Sequence, residues 1–428
     1  MKRSMKIVPA ICSLFLVAAP AWAEDPSNAA LKAEIEVLKS RLQQLEKQVS
    51  SSEFKGISGI GEKPGASTLE LPSGLQGLAI SGYVDVSAIY NFAESDPGVG
   101  RTNRGRVFDT EPEGFTPHAA ELVLEKPIAD DAPIGFRTDL FFGDDAELIH
   151  STGLGATVPN GDISDHFDLQ QAYVTVRAPL GNGLDFKVGK FVTLLGAEVI
   201  ESPANWNFSR SYLFGYAIPF THTGALATYG FGELGSVTGG VVNGWDNVDD
   251  NNKGKSLLGN VTLIPMQGVT LAANGITGPE QTDNNRDNRT VIDLVGTWQP
   301  LEALTLMANY DYGHEDAGRS TSFDAKNWTG VALYAKYALT SKWALAGRWE
   351  WFDDKNNFRT ALTGRDGSAP ASIDFFGYTF TSQWQLYEHV LARLEYRHDQ
   401  AGERILFHDS NSLQNYQDTV AAELIYQF

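Results

Sequence analysis

Groups of oppositely charged residues, spaced two apart, are the first candidates for chemistry in this sequence. They are Arg137 with Asp139, Arg348 with Glu350, and Arg393 with Glu395 and Arg397. Residues i and i+2 of a β-strand lie on the same face, so each group would project from one side of a strand. Charges on one such face are tolerated only where water or a partner meets them. The groups therefore predict a polar surface in contact with water and ions, and they suggest no catalytic residue.

An alternation of apolar and polar residues through 78–428 predicts the strands that position these charges. In the first segment, apolar Val84 and Val86 alternate with polar Asp85 and Ser87, which is the period of a strand with two different faces. The pattern recurs in sixteen segments. These begin near Ile80, Pro117, Ile134, Phe167, Leu184, Pro219, Ser236, Ser256, Val269, Arg289, Leu304, Ala325, Trp343, Ala371, Val390 and Asp418.

The connections between these segments alternate in length. Seven are short, such as 340–342, and eight are longer, such as 93–116. Outer-membrane barrels have short periplasmic turns and long extracellular loops, so we predict an all-β fold, a 16-stranded antiparallel transmembrane β-barrel over 78–428. A soluble sandwich or propeller is the alternative. Aromatic residues near strand ends and the terminal Leu424-x-Tyr426-x-Phe428 favour the barrel.

The residues before the barrel divide into three predicted segments. Residues 1–23 form a signal peptide with the cleavage site Ala21-Trp22-Ala23, 24–53 a short coiled coil, and 54–77 a Gly/Ser/Pro linker. An even strand number places both barrel ends, and thus the coiled coil, in the periplasm. A helix lying on the protein's own surface is the alternative to the coiled coil. The a and d positions are Leu31, Ile35, Leu38, Leu42, Leu45 and Val49.

Composition argues against several classes of function. Acids outnumber bases 53 to 33, for a formal net charge of -20, whereas a nucleic-acid partner would require a basic surface. The single cysteine, Cys12, lies in the predicted signal peptide, so the mature protein has no disulfide and no thiolate nucleophile. The eight histidines show no metal-ligand spacing, and 246–254 lacks the spacing of an EF-hand. We therefore expect no cofactor and no metal.

The segment 169–224 resembles the family of putative β-barrel porin-2, or OmpL-like, porins. The resemblance lies in LQQAYVTVRAPLGNGLDFKVGKF (169–191) and LLGAEVIESPANWNFSRSYLFGYAIPFTHTG (194–224). It implies an outer-membrane channel for passive diffusion, with membrane lipid and small hydrophilic solutes or ions as partners. The alternation ending at Phe428 looks like the signal that the barrel-assembly machinery recognises. Porins of this size commonly form trimers, so a homotrimer is favoured, although the heptad spacing also suits a dimer.

The third long connection, residues 192–218, is the candidate constriction of the channel. A barrel of sixteen strands is too wide for side chains to fill, and in sixteen-stranded porins the third loop commonly folds inward. An ordinary cell-surface loop is the alternative, but the aromatic content of this segment would be poorly solvated there. The predicted pore residues are Glu198, Glu201 and Arg210 of the loop, facing Arg137, Asp139, Arg348, Glu350, Arg393 and Glu395 of the wall.

Two other functions are open alternatives to a porin. The stretch His408-x-Ser410-Asn411 resembles the His-x-Ser-Asn stretch of outer-membrane phospholipase, in which His activates Ser, but Ser412 stands where that family has Gly. A structural tether, whose coiled coil holds the outer membrane to the cell wall, is a nonenzymatic alternative. For a porin, the acidic outer loops suggest a slight cation preference at the mouth.

Overall fold

The computed structural model describes most of the chain from residue 75 onward. The described residues are 75, 77–93, 102–129, 131–154, 166–318, 324–364, 367–409 and 412–428, with only the backbone described at 407–409 and 412. The predicted signal peptide (1–23) and coiled coil (24–53), and nearly all of the predicted linker, lie outside the described residues.

Sixteen antiparallel strands form one closed barrel, which confirms the predicted fold class. The strands of the chain are β1 (Ala79–Asn91), β2 (Glu113–Lys126), β3 (Ile134–Phe142), β4 (Phe167–Ala178), β5 (Leu184–Val192), β6 (Thr221–Gly230), β7 (Gly235–Val242), β8 (Ser256–Met266), β9 (Val269–Pro279), β10 (Asn288–Leu301), β11 (Leu304–Glu315), β12 (Lys326–Thr340), β13 (Trp343–Asp354), β14 (Ile373–Tyr387), β15 (Val390–Ala401), β16 (Leu406–Asp409), β17 (Ser412–Gln414) and β18 (Tyr416–Gln427). Barrel strands pair with their neighbours in sequence, and β18 pairs with both β15 and β1 to close the ring. β16 and β17 form a separate hairpin within the last long connection.

Helical structure in the described residues is confined to short segments of the connections. These are α1 (Asp144–Ile149), the 3₁₀ turns Ser202–Ala204 and Gly232–Leu234, and the π-helical turn Leu213–Ala217. Among the described residues, no helix has both the length and the apolar character needed to cross a membrane.

The two faces of each strand differ in the way that the alternation predicts. In β1, Tyr83, Asp85 and Ser87 are buried, whereas Val84 and Val86 are exposed. Since side chains of a strand point alternately to opposite sides, the polar face looks into the barrel and the apolar face points outward. An outward apolar face and an inward polar face are the arrangement of a membrane barrel.

The connections of the barrel alternate between short and long. Seven contain two to seven residues, from 267–268 to 127–133, and eight are longer, up to the 28 residues of 193–220. Because every strand is antiparallel to its neighbours, all short connections lie at one end of the barrel and all long ones at the other. Predicted strand starts fall within four residues of the observed ones. The largest difference is in β2, which begins at Glu113 and not near Pro117.

The last residue of the chain completes the barrel seam. Phe428 exchanges two backbone hydrogen bonds with Gly82 of β1, each 3.0 Å long. A Cβ at Gly82 would lie 2.1 Å from the Glu121 carbonyl oxygen and 2.7 Å from the Phe428 ring, so only glycine fits this position. The side chains of Leu424, Tyr426 and Phe428 are about half exposed on the outward face.

Candidate functional site

The third long connection, here called L3, comprises residues 193–220 between β5 and β6. β5 continues through Val192 and β6 begins at Thr221, so L3 is offset by one or two residues from the predicted 192–218. Gly196 has a φ of 96°, and a Cβ there would lie 2.6 Å from another L3 side chain. Glycine tolerates this left-handed conformation. It therefore lets the chain turn as it leaves the wall.

Apolar side chains of L3 form part of the main hydrophobic core. Tyr212, Leu213, Phe214 and Ile218 are each at most 3 % exposed. The ring of Tyr212 stacks on Phe375 of β14, with centroids 4.6 Å apart. Burying an apolar side chain of this size stabilises the protein by about 1.5–3 kcal/mol. L3 therefore packs inside the barrel and not on its outer surface.

L3 crosses the lumen to the opposite wall. In the ring of sixteen strands, β13 lies eight positions away from β5, and β14 lies eight positions away from β6. Arg348 of β13 binds Glu198 Oε1 through Nη1 at 2.9 Å, and Glu350 Oε2 accepts the backbone N–H of Tyr212 at 2.6 Å. Arg348 and Glu350 are also paired with each other at 3.0 Å. The far wall therefore holds L3 by a charged network that spans the barrel.

Glu395 of β15 binds the backbone of L3 directly. Its carboxylate accepts the N–H of Phe208 at 2.7 Å and the N–H of Ser209 at 3.0 Å. The hydroxyl of Thr381, on β14, donates to the same carboxylate at 2.7 Å. Hydrogen bonds to an ionised acceptor are roughly twice as strong as neutral ones. Glu395 is thus a strong anchor for the middle of L3.

Arg393 anchors an earlier part of L3 to the same strand. Its Nη2 donates to the carbonyls of Ser202 and Asn205, at 3.1 and 2.5 Å. Its Nη1 forms an ion pair with Glu423 of β18 at 2.7 Å. The guanidinium therefore joins the wall carboxylate to two peptide carbonyls of the loop.

Arg210 is placed differently from the prediction that it faces wall charges. Its guanidinium donates to the carbonyls of Val199, Ile200 and Phe208, all within L3. Carbonyls in a buried irregular segment need such donors, so this side chain is used to stabilise the shape of L3. The wall contacts the Arg210 backbone carbonyl, to which Arg397 Nη1 donates at 2.7 Å.

Glu201 lies against the near wall, which is formed by β2, β3 and β4. Gln170 Nε2 of β4 donates to Glu201 Oε1 at 2.7 Å. On β3, Arg137 Nε binds both oxygens of Asp139, at 2.9 and 3.0 Å. Burial raises the pKa of Glu201, although hydrogen bonds to its carboxylate act in the opposite direction. The structure thus brings Glu198 to the far wall and Glu201 to the near wall.

A further anchor in the first long connection, 92–112, is missed by sequence reasoning. Arg106 Nε donates to Asp399 of β15 at 2.7 Å. The hydroxyl of Tyr212 donates to the same carboxylate at 2.6 Å, and burial raises the pKa of this hydroxyl, so it keeps its proton. Arg106 and Asp399 are 293 positions apart. No spacing in the sequence indicates such a pair.

The sequence of residues 77–428 matches the family described as putative β-barrel porin-2, OmpL-like. The chain belongs to this family. The matched residues include every strand of the barrel and all of L3. The protein is accordingly a porin, a passive channel of the outer membrane. None of the curated proteins compared with it is significantly similar in sequence.

Solved structures with the same fold include three outer-membrane proteins. OmpT of Vibrio cholerae, in its trimer form, is 10 % identical with a TM-score of 0.53, covering 82 % of this chain and 99 % of that one. The outer membrane channel DcaP of Acinetobacter baumannii is 10 % identical with a TM-score of 0.52, covering 82 % and 97 %. The anion-selective porin from Comamonas acidovorans is 10 % identical with a TM-score of 0.52, covering 82 % and 99 %. Identities this low show a shared fold and nothing further.

The lumen of this porin carries partly exposed charges near the short connections. Arg137, Lys187 and Lys336 lie there on the inward faces of β3, β5 and β12. The side chains of Arg137 and Glu125 are 26 % and 38 % exposed and 3.4 Å apart. The Lys187 ammonium lies 4.4 Å from the centroid of the Tyr173 ring. These groups, unlike the charges under L3, are accessible to water.

One buried hydrogen-bond chain has the residue types of a catalytic triad. Ser87 Oγ lies 2.8 Å from His118 Nε2, and His118 Nδ1 lies 3.0 Å from Asp145 Oδ1. A nucleophilic serine must be reached by its substrate, but these three residues are only 2–4 % exposed. The Phe208 ring of L3 packs edge-on against His118, with centroids 5.3 Å apart. These hydrogen bonds therefore join β1, β2 and α1, and their role is structural.

Proposed function

We propose that this porin lets small hydrophilic solutes or ions diffuse passively through a lumen that L3 narrows. A sixteen-stranded barrel is wide enough to hold water unless something fills it. The single observation that supports L3 as the constriction is its hydrogen bonding to β13, β14 and β15, on the wall opposite the strands that it connects.

In this proposal, most of the predicted pore residues act by fixing the position of L3. Glu198 pairs with Arg348, while Glu350, Arg393 and Glu395 bind the L3 backbone. Each of these five side chains is at most 5 % exposed. Solutes therefore do not move along them. Their role is to hold a rigid constriction in one place.

The charges that a solute meets lie in the part of the lumen near the short connections. Arg137, Lys187 and Lys336 are partly exposed there, together with Glu125. Three of these four groups are basic, whereas the outer loops are acidic. A preference for cations at the mouth would therefore be opposed by a preference for anions deeper in the lumen.

We also propose that the protein is a homotrimer, with its N-terminal helix (24–53) in the periplasm. OmpT of Vibrio cholerae, which shares the fold, occurs in a trimer form. The outward apolar face supports outer-membrane lipid as the surrounding partner. Phe428 lies at the barrel seam, where it would serve as the recognition residue for the barrel-assembly machinery.

The proposed diffusion requires no catalytic residue and no cofactor. Ser87 and His118 are buried beneath L3, and the stretch His408-x-Ser410-Asn411 lies outside the part of the chain whose side chains are described. A structural tether through the coiled coil is the alternative that remains to be tested. It predicts a protein that conducts no ions.

Planar-bilayer conductance tests the proposed function. The purified protein should form ohmic channels, and deleting residues 200–214 should raise their conductance and weaken ion preference, because the deletion removes the part of L3 that crosses the lumen. Deleting residues 282–285, in the exposed connection after β9, is the control and should leave conductance unchanged. Unchanged conductance in the 200–214 deletion would show that L3 does not narrow the pore. The absence of any channel would favour the tether.

A further inference from the structure

Three carboxylates from separate elements converge beside L3. They belong to Glu121 of β2, Asp139 of β3 and Glu201 of L3, and one oxygen from each lies within 4.8 Å of the others. The register between β2 and β3 pairs Val123 with Asp139, so Glu121 is the diagonal inward neighbour of Asp139. L3 adds the third carboxylate, that of Glu201.

Buried polar atoms without a hydrogen-bond partner surround the same cluster. Glu121 is 5 % exposed and its Oε1 has no partner. Gln170 is fully buried, and its Oε1 is also unpartnered although its Nε2 donates to Glu201. The hydroxyl of Tyr83, directly opposite Glu121 in the register of β1 and β2, is a third such atom. Buried polar atoms are nearly always satisfied, so these orphan oxygens point to a ligand.

The charge and geometry of the cluster specify what that ligand is. Arg137 is the cation in contact with Asp139, and it also pairs with Glu125. When ionised, the three carboxylates therefore carry at least two negative charges that this guanidinium does not neutralise. All the available ligand atoms are oxygens, which is the preference of a hard divalent cation. Ca²⁺ binds oxygens at about 2.3–2.6 Å in a flexible geometry, so oxygens on opposite sides of one ion lie about 4.6–5.2 Å apart. Mg²⁺ needs shorter distances and a stricter octahedron.

We propose that Glu121, Asp139 and Glu201 bind one Ca²⁺ ion, with Gln170 and Tyr83 supplying neutral oxygens. A carboxylate of L3 and carboxylates of two wall strands would then share one ion. The site fastens the first part of L3 to the near wall, complementing the contacts of its middle part with the far wall. Binding at this site does not depend on conduction, so it can fail or succeed separately from the proposed channel function.

Calorimetric titration of the full mature protein with CaCl₂ tests the site. The protein is solubilised in detergent and dialysed against EDTA, which is then removed. We expect one site whose affinity falls by at least about tenfold in Glu121→Gln and in Glu201→Gln, since even loss of the outer partners of metal ligands costs 10–100-fold. Glu147→Gln, at an exposed carboxylate of α1, is the matched control and should bind as the wild type does.

Folding of each variant is checked by its heat-modifiable mobility in SDS gels. The two glutamine variants keep the size of the side chain, and Asp139 is left intact because it pairs with Arg137. Ca²⁺ should also raise the melting temperature of the wild type by more than that of Glu121→Gln. Equal Ca²⁺ affinity in the wild type and Glu121→Gln, or no Ca²⁺ binding by the wild type, would overturn the proposal.

Discussion

Glu395→Gln should loosen L3 without changing the barrel. In the wild type, Glu395 Oε2 accepts the N–H of Phe208 and Oε1 accepts the N–H of Ser209. Glutamine has nearly the same shape but replaces one of these acceptors with an NH₂ group, which cannot accept a hydrogen bond. Whichever way the amide is oriented, one buried N–H of L3 loses its partner. The remaining hydrogen bond also loses the negative charge.

The size of the effect follows from these two losses. A hydrogen bond to a charged group contributes about 1.5–3 kcal/mol, and a buried unsatisfied donor costs about 1–3 kcal/mol. Since the two terms overlap, we expect L3 to be held less tightly by about 3 kcal/mol. A difference of 1.4 kcal/mol corresponds to a factor of ten, so the population with L3 detached from β15 should rise on the order of a hundredfold.

Single-channel recording in planar bilayers measures this change. A detached L3 widens the lumen for as long as it is detached, so Glu395→Gln channels should show larger current fluctuations than wild-type channels. Glu315→Gln is the matched control, because Glu315 is also a fully buried inward carboxylate but is paired with Arg289 of β10 and not with L3. If the current fluctuations of Glu395→Gln channels are as small as those of the wild type and the control, Glu395 is not an anchor of L3.

Two further predictions concern pH and assembly. Asp246 accepts the N–H groups of Phe220 and Thr221, and burial raises its pKa to about 6. This folded-state pKa lies above the unfolded value of about 4, so the stability that Asp246 contributes is full below pH ~4 and is lost as the pH rises through 6. The melting temperature of the wild type relative to Asp246→Asn should therefore fall from pH 4.5 to 7.5, and a constant difference would contradict this. Removing residues 24–53 should decrease cross-linked trimers in detergent while channels persist; undiminished trimers would exclude the coiled coil from assembly.

The sixteen strands could be predicted because the two sides of the barrel wall face different surroundings. Lipid on one side and a polar lumen on the other impose a period of two on almost every strand. The largest error, in β2, has a physical cause. A bulge opposite Asp85 and Val86 places both His118 and Ala119 in the lumen, which reverses the alternation. Sequence reasoning therefore begins this strand near Pro117 and misses its first residues.

A second bulge, in β4, explains why side-chain orientations in the near wall could not be predicted from the alternation. In β4, the register shift opposite Asp139 and Leu140 turns both Gln170 and Gln171 inward. Strict alternation would send one of them into lipid. Both amides instead bind lumenal carboxylates, Gln170 on Glu201 and Gln171 on Asp139. A two-residue period cannot predict the face to which side chains at such bulges point.

The contacts of L3 were beyond sequence reasoning for a different reason. Tyr212 and Glu350 are 138 positions apart, and Ser202 and Arg393 are 191 apart. Moreover, these wall charges bind peptide N–H and C=O groups, which nearly every residue possesses, so the residue type does not indicate these contacts. Arg210 illustrates the consequence. Its charge suggests a pore residue, but the carbonyls that it satisfies belong to its own loop.

Charged pairs on the inward face of a strand have two physical explanations that the sequence does not separate. They can contact lumenal water, or they can be covered by a loop that neutralises them with opposite charges and peptide dipoles. Arg348, Glu350 and Glu395 are at most 3 % exposed, so they follow the second explanation. Burying a charge is costly unless a partner meets it, and L3 supplies those partners. The same charges that mark the lumen in the sequence therefore anchor L3. If L3 is the constriction, as we propose, ion preference depends on the groups that L3 leaves uncovered, such as Arg137 and Lys187.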